Sequence, residues 1–483
     1  MKHFFCLSIV FCISCFFLNG QSNNWKIRID SADVFSSPRF ADLNKDGILD
    51  VIVGGGIEHV NTSTGVVAIN GVNGEVLWSV PSSSQLYISP LLKDVNNDQI
   101  VDVIIGGRDA VLMCVDGKTG SLIWEFNQAN AINEPRKQGW LNFFVTQFVR
   151  DLNSDGLEDL LVTNGGDYLA GPRERNRPTA RLMVLCSRTG KILLDQPIPE
   201  KRESYYAPHT YSDENGNETL IFGSGGETID GSLWTIPLND FLTKKMSRSR
   251  KILTDVNKGI IINSIVCDFN KDKKEDLFVT HMNGNLTLMD AESGKIHWSK
   301  SFDGYECYVT PSLGYFNDDV VPDVFTILAE GAFPAYTSFK LIALDGSTGE
   351  IIFEEQNGFN QFSPAVCADL NGDKFDEFIY IHNTLIDQET FLTVGQLRIV
   401  DVKNGRSYFI GDPVKGVSMA SSPALVDINA DGKYEIVFAT SSFPSADNAQ
   451  YSSVQCISLE LELKNITWPG YLGAEQNGYY SEP

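Results

Sequence analysis

Residues 42–50 read DLNKDGILD, placing Asp, Asn, Asp and Asp at positions one, three, five and nine and Gly at six. The pattern returns as DVNNDQIVD from Asp94, DLNSDGLED from Asp151, DFNKDKKED from Asp268, DLNGDKFDE from Asp369 and DINADGKYE from Asp427. A seventh copy, YFNDDVVPD from Tyr315, has lost the first carboxylate but keeps Asn317, Asp319 and Asp323. An eighth is expected near residue 210, where SDENGNETLIFG keeps the following strand but not the acids. First positions lie 47 to 59 residues apart. Self-similarity at such a period restricts the chain to stacked or ring-forming repeats.

The nonapeptide is not an EF-hand loop. An EF-hand needs a bidentate Glu at position twelve and flanking helices; counted from Asp42, position twelve is Val53, in the apolar run Val51, Ile52, Val53 that ends in Gly54, Gly55 and Gly56. A short β-branched run stopped by glycines reads as a strand. Pro38, Pro90, Pro311 and Pro423 stand four residues before their loops and Pro364 five before its own, where the first residue of a strand tolerates a missing N–H. After the loop come an apolar strand, a third strand, and a turn ending in Gly with a large apolar residue four places on: Gly74 with Trp78, Gly120 with Trp124, Gly190 with Leu194, Gly294 with Trp298, Gly349 with Phe353, Gly405 with Phe409.

Each unit is therefore four short antiparallel strands. One such sheet cannot bury both faces alone, and radial stacking is the standard solution. The spacing predicts an all-β chain forming an eight-bladed β-propeller, with repeats starting near 36, 88, 145, 205, 262, 309, 363 and 421 in one domain over residues 21–483; a seven-bladed ring is the runner-up. The segment Trp25–Ile29 precedes the first unit and is expected to complete the last blade, with Ile466, Thr467 and Trp468 competing for that place.

The loops with their Gly-Gly strand ends resemble FG-GAP repeats, the units of the integrin α-subunit N-terminal propeller. INGVNGEVLW (69–78), VDGKTGSLIW (115–124) and LDGSTGEIIF (344–353) resemble the tryptophan-docking repeat of eight-bladed quinoprotein propellers. The first resemblance implies structural calcium in a loop between two blade strands. Gln99, Lys273 and Lys374 depart from it, standing where Gly is expected at position six.

Oxygen donors on alternate residues of a tight loop suit a hard cation such as Ca²⁺. The expected ligands are Asp42, Asn44, Asp46 and Asp50; Asp94, Asn96, Asp98 and Asp102; Asp151, Asn153, Asp155 and Asp159; Asp268, Asn270, Asp272 and Asp276; Asp369, Asn371, Asp373 and Glu377; Asp427, Asn429, Asp431 and Glu435. Asp, Asn and Gly also make good turns, but turn chemistry does not require an acid at position nine. Six Ca²⁺ would bring the formal charge from −24 to about −12. The acidity argues against nucleic acid and anionic membrane surfaces as partners.

Lys2, His3 and the apolar run Phe4–Leu18 read as a secretory signal peptide over residues 1–20, with cleavage after Gly20 and a secreted product, whether extracellular, at the cell surface or periplasmic. No second long apolar stretch follows, so no transmembrane segment is expected after cleavage. A lipid-modified Cys15 fits less well, because Cys12 occupies the usual Leu position. Six cysteines remain (Cys114, Cys186, Cys267, Cys307, Cys367, Cys456), widely spaced and in apolar contexts that predict buried free thiols.

Function on a propeller usually lies where the repeat breaks. The third and fourth units are irregular: GGDYLAGPRERNRPTARL gathers Arg173, Arg175, Arg177 and Arg181, and KRESYYAPH follows with Tyr205, Tyr206 and His209. In an acidic chain this stretch reads either as a solvated basic loop or as a receptor for an anionic ligand. The reading for the whole chain is a monomeric, calcium-stabilised binding or adhesion module for a protein or glycan. The alternative is a polysaccharide lyase, with Arg neutralising a uronate and Tyr or His moving the proton. A quinoprotein activity is weaker, since the docking repeat is architectural and the adjacent cysteine pair of the alcohol dehydrogenases is absent.

Overall fold

The computed structural model describes residues 24–126, 139–167, 169–171, 174–442 and 450–481. The expected signal segment and Arg173 lie outside the described residues, as does most of the long connection before the third loop. Eight antiparallel sheets follow one another along the chain, each built on four strands, and form an eight-bladed propeller. Blade 1 shows the plan with strands Arg39–Ala41, Asp50–Gly54, Thr62–Ile69 and Val76–Ser82, running from the axis outward. Its second strand is buried at every position, whereas its fourth is partly exposed along most of its length. A strand packed on both faces needs a continuous apolar run, and Val51, Ile52 and Val53 supply one.

Ring closure follows the sequence-based expectation. Trp25–Asp30 pairs antiparallel with Tyr451–Ser458, in register from Trp25 against Cys456 to Asp30 against Tyr451, and supplies the outer strand of blade 8. Trp25 and Ile29 then join Val51, Val53, Val437 and Val454 in one core cluster between the last blade and the first. Ile466–Trp468 takes a different place: it pairs with Val366–Ala368, the inner strand of blade 7, because the outer edge of blade 8 is already occupied.

Beyond Trp468 the tail crosses the axis. Pro469 O accepts the N–H of Leu425 in blade 8, Gly478 O accepts that of Val266 in blade 5, and the Tyr479 hydroxyl reaches Glu275 at 2.9 Å. Trp468, 1% exposed, anchors it.

The docking residues act between blades rather than within them. Trp25 donates its indole N–H to Gly71 O (2.8 Å), Trp78 to Gly117 O (2.7 Å), Trp124 to Ser187 O (2.8 Å) and Trp298 to Gly346 O (3.0 Å). Each ring lies over the turn of the next blade, so Gly74 meets Trp25, not the Trp78 that follows it in sequence. A Cβ at Gly74, where φ is +74°, would stand 2.8 Å from the Trp25 ring. The six described cysteines are buried free thiols.

Candidate functional site

In an antiparallel blade the first-to-second and third-to-fourth connections share one end, and the second-to-third connection lies at the other. The acidic loops therefore sit on one face of the ring, with the Gly-ending turns, and the long hairpins open on the opposite face.

The six intact loops share one backbone form. Positions four and six are left-handed in all of them, with φ from 56° to 89°, and eight of those twelve residues are not glycine: Lys45, Asn97, Gln99, Ser154, Lys271, Lys273, Lys374 and Ala430. Such residues cost about 1 kcal/mol each and persist where the surroundings demand them. The loss of Gly at Gln99, Lys273 and Lys374 thus leaves the loop shape unchanged. Within the first loop, Asp42 accepts the N–H groups of Asp46 (3.1 Å) and Gly47 (2.9 Å), Asn44 Oδ1 that of Asp46 (2.9 Å), and Asp46 that of Ile48 (2.8 Å). Equivalent bonds to the first-position carboxylate hold Gln99, Gly156, Lys273, Lys374 and Gly432.

Position nine has a structural role that sequence reading missed. Asp50, Asp102, Asp159, Asp276, Asp323, Glu377 and Glu435 are at most 2% exposed. Each accepts the N–H of position two of its own loop, for example Leu43 to Asp50 (3.0 Å) and Phe316 to Asp323 (2.8 Å). Asp50, Asp102 and Asp323 also accept an N–H from Gly71, Gly117 and Gly346 in the neighbouring turn. Burial pushes Asp276 up to about 6 and Asp323 and Glu377 up to about 7, and raises the other four. His297 bonds Asp276 at 2.8 Å.

Among the described residues, one group of three carboxylates brings its oxygens within 4.8 Å: Asp319, Asp323 and Asp345, in the degenerate seventh loop. Asp345 comes from the LDGSTG turn, so it replaces the missing first-position acid from across the blade. The intact loops hold their carboxylates farther apart, turned onto their own N–H groups. A carboxylate has about four lone-pair sites, and the all-oxygen donor set fits a hard cation, so positions one, three, five and nine would hold Ca²⁺ and its charge would offset their mutual repulsion.

The Arg, Tyr and His residues of the irregular stretch do not converge. Arg177 is tied to Glu203 (3.2 Å), Glu174 O (2.7 Å) and Gly171 O (2.9 Å); Arg181 makes a bidentate pair with Asp195 at 2.7 and 2.6 Å; Arg175 is exposed. Tyr206 and His209 are both 0% exposed. They stack on each other, with Tyr206 bonded to Ser264 Oγ (3.0 Å) and His209 Nδ1 to Asn263 (3.2 Å). Burial lowers His209 to about 4, leaving it neutral. Tyr205 alone of the described candidates borders the open space on the axis.

That space is an axial cavity of about 620 Å³, lined by residues from all eight blades and by Tyr471 and Leu472 of the tail. Tyr87, Phe144 and Tyr205 form one aromatic arc (edge contacts at 5.8 and 6.1 Å) and Tyr336, Tyr308 and Phe362 another (5.7 and 5.9 Å). No sequence signal marks it, since each blade contributes only a few residues from ordinary connections.

Among the described residues no helix is long and apolar enough to cross a membrane. Residues 62–380 match the family described as the FAM234A/B beta-propeller. Protein FAM234B of Mus musculus is 23% identical over 396 residues, covering 72% of this chain and 57% of the relative. Protein FAM234B of Homo sapiens is 21% identical over 408 residues, covering 77% and 62%. The chain thus spans less than two thirds of the length of these curated relatives. Among solved structures, the quinohemoprotein alcohol dehydrogenase from Comamonas testosteroni superposes with a TM-score of 0.54 at 12% identity, over 91% of this chain and 78% of that one. The exotype rhamnogalacturonan lyase YesX gives 0.54 at 14%, over 90% and 76%. At these identities the likeness shows the fold alone. With the family match extending over most of the blades, the chain belongs to the FAM234A/B β-propeller family.

Proposed function

We propose that this protein is an exported binding module whose blades are held by FG-GAP-type calcium loops on one face and whose opposite face receives a protein or glycan ligand. The observation that carries the metal reading is the left-handed backbone at positions four and six of all six intact loops, kept by non-glycine residues at eight of twelve places. One backbone form recurring in six loops, with Asp, Asn and Asp kept at positions one, three and five despite that strain, supports a shared oxygen-ligand role. Metal analysis of the purified chain tests it, together with melting before and after chelation. Bound calcium and a lower melting temperature in chelator are expected; a metal-free protein with an unchanged melt would refute the reading.

The binding role is supported by a rigid ring presenting irregular hairpins such as Asp323–Ala332 with Ala335–Leu344. The lyase alternative finds less support, because its Tyr206 and His209 are sealed in the core and its described arginines, apart from exposed Arg175, are engaged. A glycan array and direct binding to acidic polysaccharides test the ligand class, with absorbance of unsaturated uronate as the readout for cleavage.

A further inference from the structure

Arg39 begins the inner strand of blade 1, faces the axial cavity and is 5% exposed. Its one hydrogen bond among the described residues runs from Nη2 to Tyr471 O at 3.3 Å, and its buried Nε has no partner there. Among the same residues no carboxylate pairs with it; the titratable group that acts on it is the Tyr471 phenol. Burial of a guanidinium without a counter-charge is costly, and desolvation lowers Arg39 to about 10. Arg is also the side chain whose planar fork best fits a carboxylate or sulfonate. Both aromatic arcs line the same cavity, and Asn263, Thr146 and Ser89 add polar groups to that lining. A concave, mainly apolar site with a few placed polar groups and one charge is the usual form of a small-molecule pocket.

We propose that the axial cavity binds a small organic anion, a carboxylate or sulfonate on an aromatic or apolar body, with Arg39 as the anion receptor and the aromatic arcs as its wall. The tail through Tyr471 and Leu472 forms part of the lining and holds the guanidinium through Nη2. This site is separate from the metal loops, none of whose proposed ligands lines the cavity.

The test uses the whole folded chain in calcium buffer with two fluorescent probes of similar size: 8-anilino-1-naphthalenesulfonate, an anion, and N-phenyl-1-naphthylamine, which lacks the sulfonate. Saturable binding of one sulfonate probe per chain is expected. Arg39→Met should weaken it at least tenfold, change the neutral probe less than twofold, and leave the melting temperature unchanged or higher, since it removes a buried charge. Arg39→Lys should fall between the two. Absence of a saturable sulfonate site, or equal binding by Arg39→Met and the parent, would overturn the proposal. Should Arg39→Met fail to fold, the parent still decides: tighter binding of the neutral probe than of the anion excludes Arg39 as receptor.

Discussion

Trp25 gives the sharpest test of how the ring closes. It is 8% exposed, its indole donates to buried Gly71 O at 2.8 Å, and its ring leaves no room for a side chain at Gly74. A Trp side chain buries roughly 200 Å², which at about 25 cal/mol/Å² corresponds to ~5 kcal/mol; Trp25→Ala should therefore cost ~3–5 kcal/mol. Trp25→Phe keeps much of the packing but leaves the carbonyl unpaired, for ~1–2 kcal/mol plus lost volume. Gly74→Ala should be penalised twice: ~1 kcal/mol for an L-residue at positive φ and more for displacing the ring. In the Trp25→Ala background only the first part remains, so a double-mutant cycle should show a coupling of at least ~1 kcal/mol. Gly405, at φ +62°, supplies the control: a Cβ there would have nothing within 4 Å, so Gly405→Ala carries the backbone part alone. Urea unfolding followed by circular dichroism measures all of these. Additive costs for Trp25→Ala and Gly74→Ala would refute the docking argument.

Asp323→Asn separates charge from structure in the seventh loop. Burial raises the folded pKa of Asp323 from 3.8 to about 7, so its favourable contribution is present below the unfolded value and is lost as pH rises through the folded one. In chelator the melting temperature of the variant relative to the parent should rise steadily between about pH 4 and pH 8, through the window between the two pKa values; a constant difference would contradict this. Lys374→Gly relieves a residue at φ +77° and should raise chelated stability by up to ~1 kcal/mol without weakening calcium binding, as read by melting and calcium titration. Tyr206→Phe removes the pair with Ser264 and should cost ~1–2 kcal/mol in urea melts while leaving both fluorescent probes bound as before. Trp468→Ala should cost ~3–5 kcal/mol by the same assay, because the tail loses its anchor.

The parts of this molecule that could be read from sequence are those whose physics is local. A loop with acids at one, five and nine carries its own chemistry within nine residues, and its recurrence gave the number of blades and the closing role of Trp25–Ile29. What escaped depends on contacts between distant residues. Gly74 stands four places before Trp78, yet the ring it receives belongs to Trp25 on the blade behind it. Asp345 completes the seventh carboxylate group from a turn that looked purely architectural. Neighbouring Tyr205 and Tyr206 looked like one site, but adjacent residues of an extended segment point opposite ways, one into the cavity and one into the core. Arg39, in the unremarkable stretch SSPRF, gave no sign that it would be buried without a counter-charge.

The pairing of the first strand with the last blade also orders events in time. Asn24 bonds to Ser458 across 434 residues, so the beginning of the chain must wait for its partner until nearly everything between them has been synthesised. Long-range pairing of this kind is slow to form, and until it occurs the assembly is an open arc with an apolar edge on the first blade and another on the last. Such an intermediate is aggregation-prone, which makes the interval between translation and closure the vulnerable stage in this protein's biogenesis. Chains halted before residue 450 should stay protease-sensitive at both ends while their middle blades resist digestion.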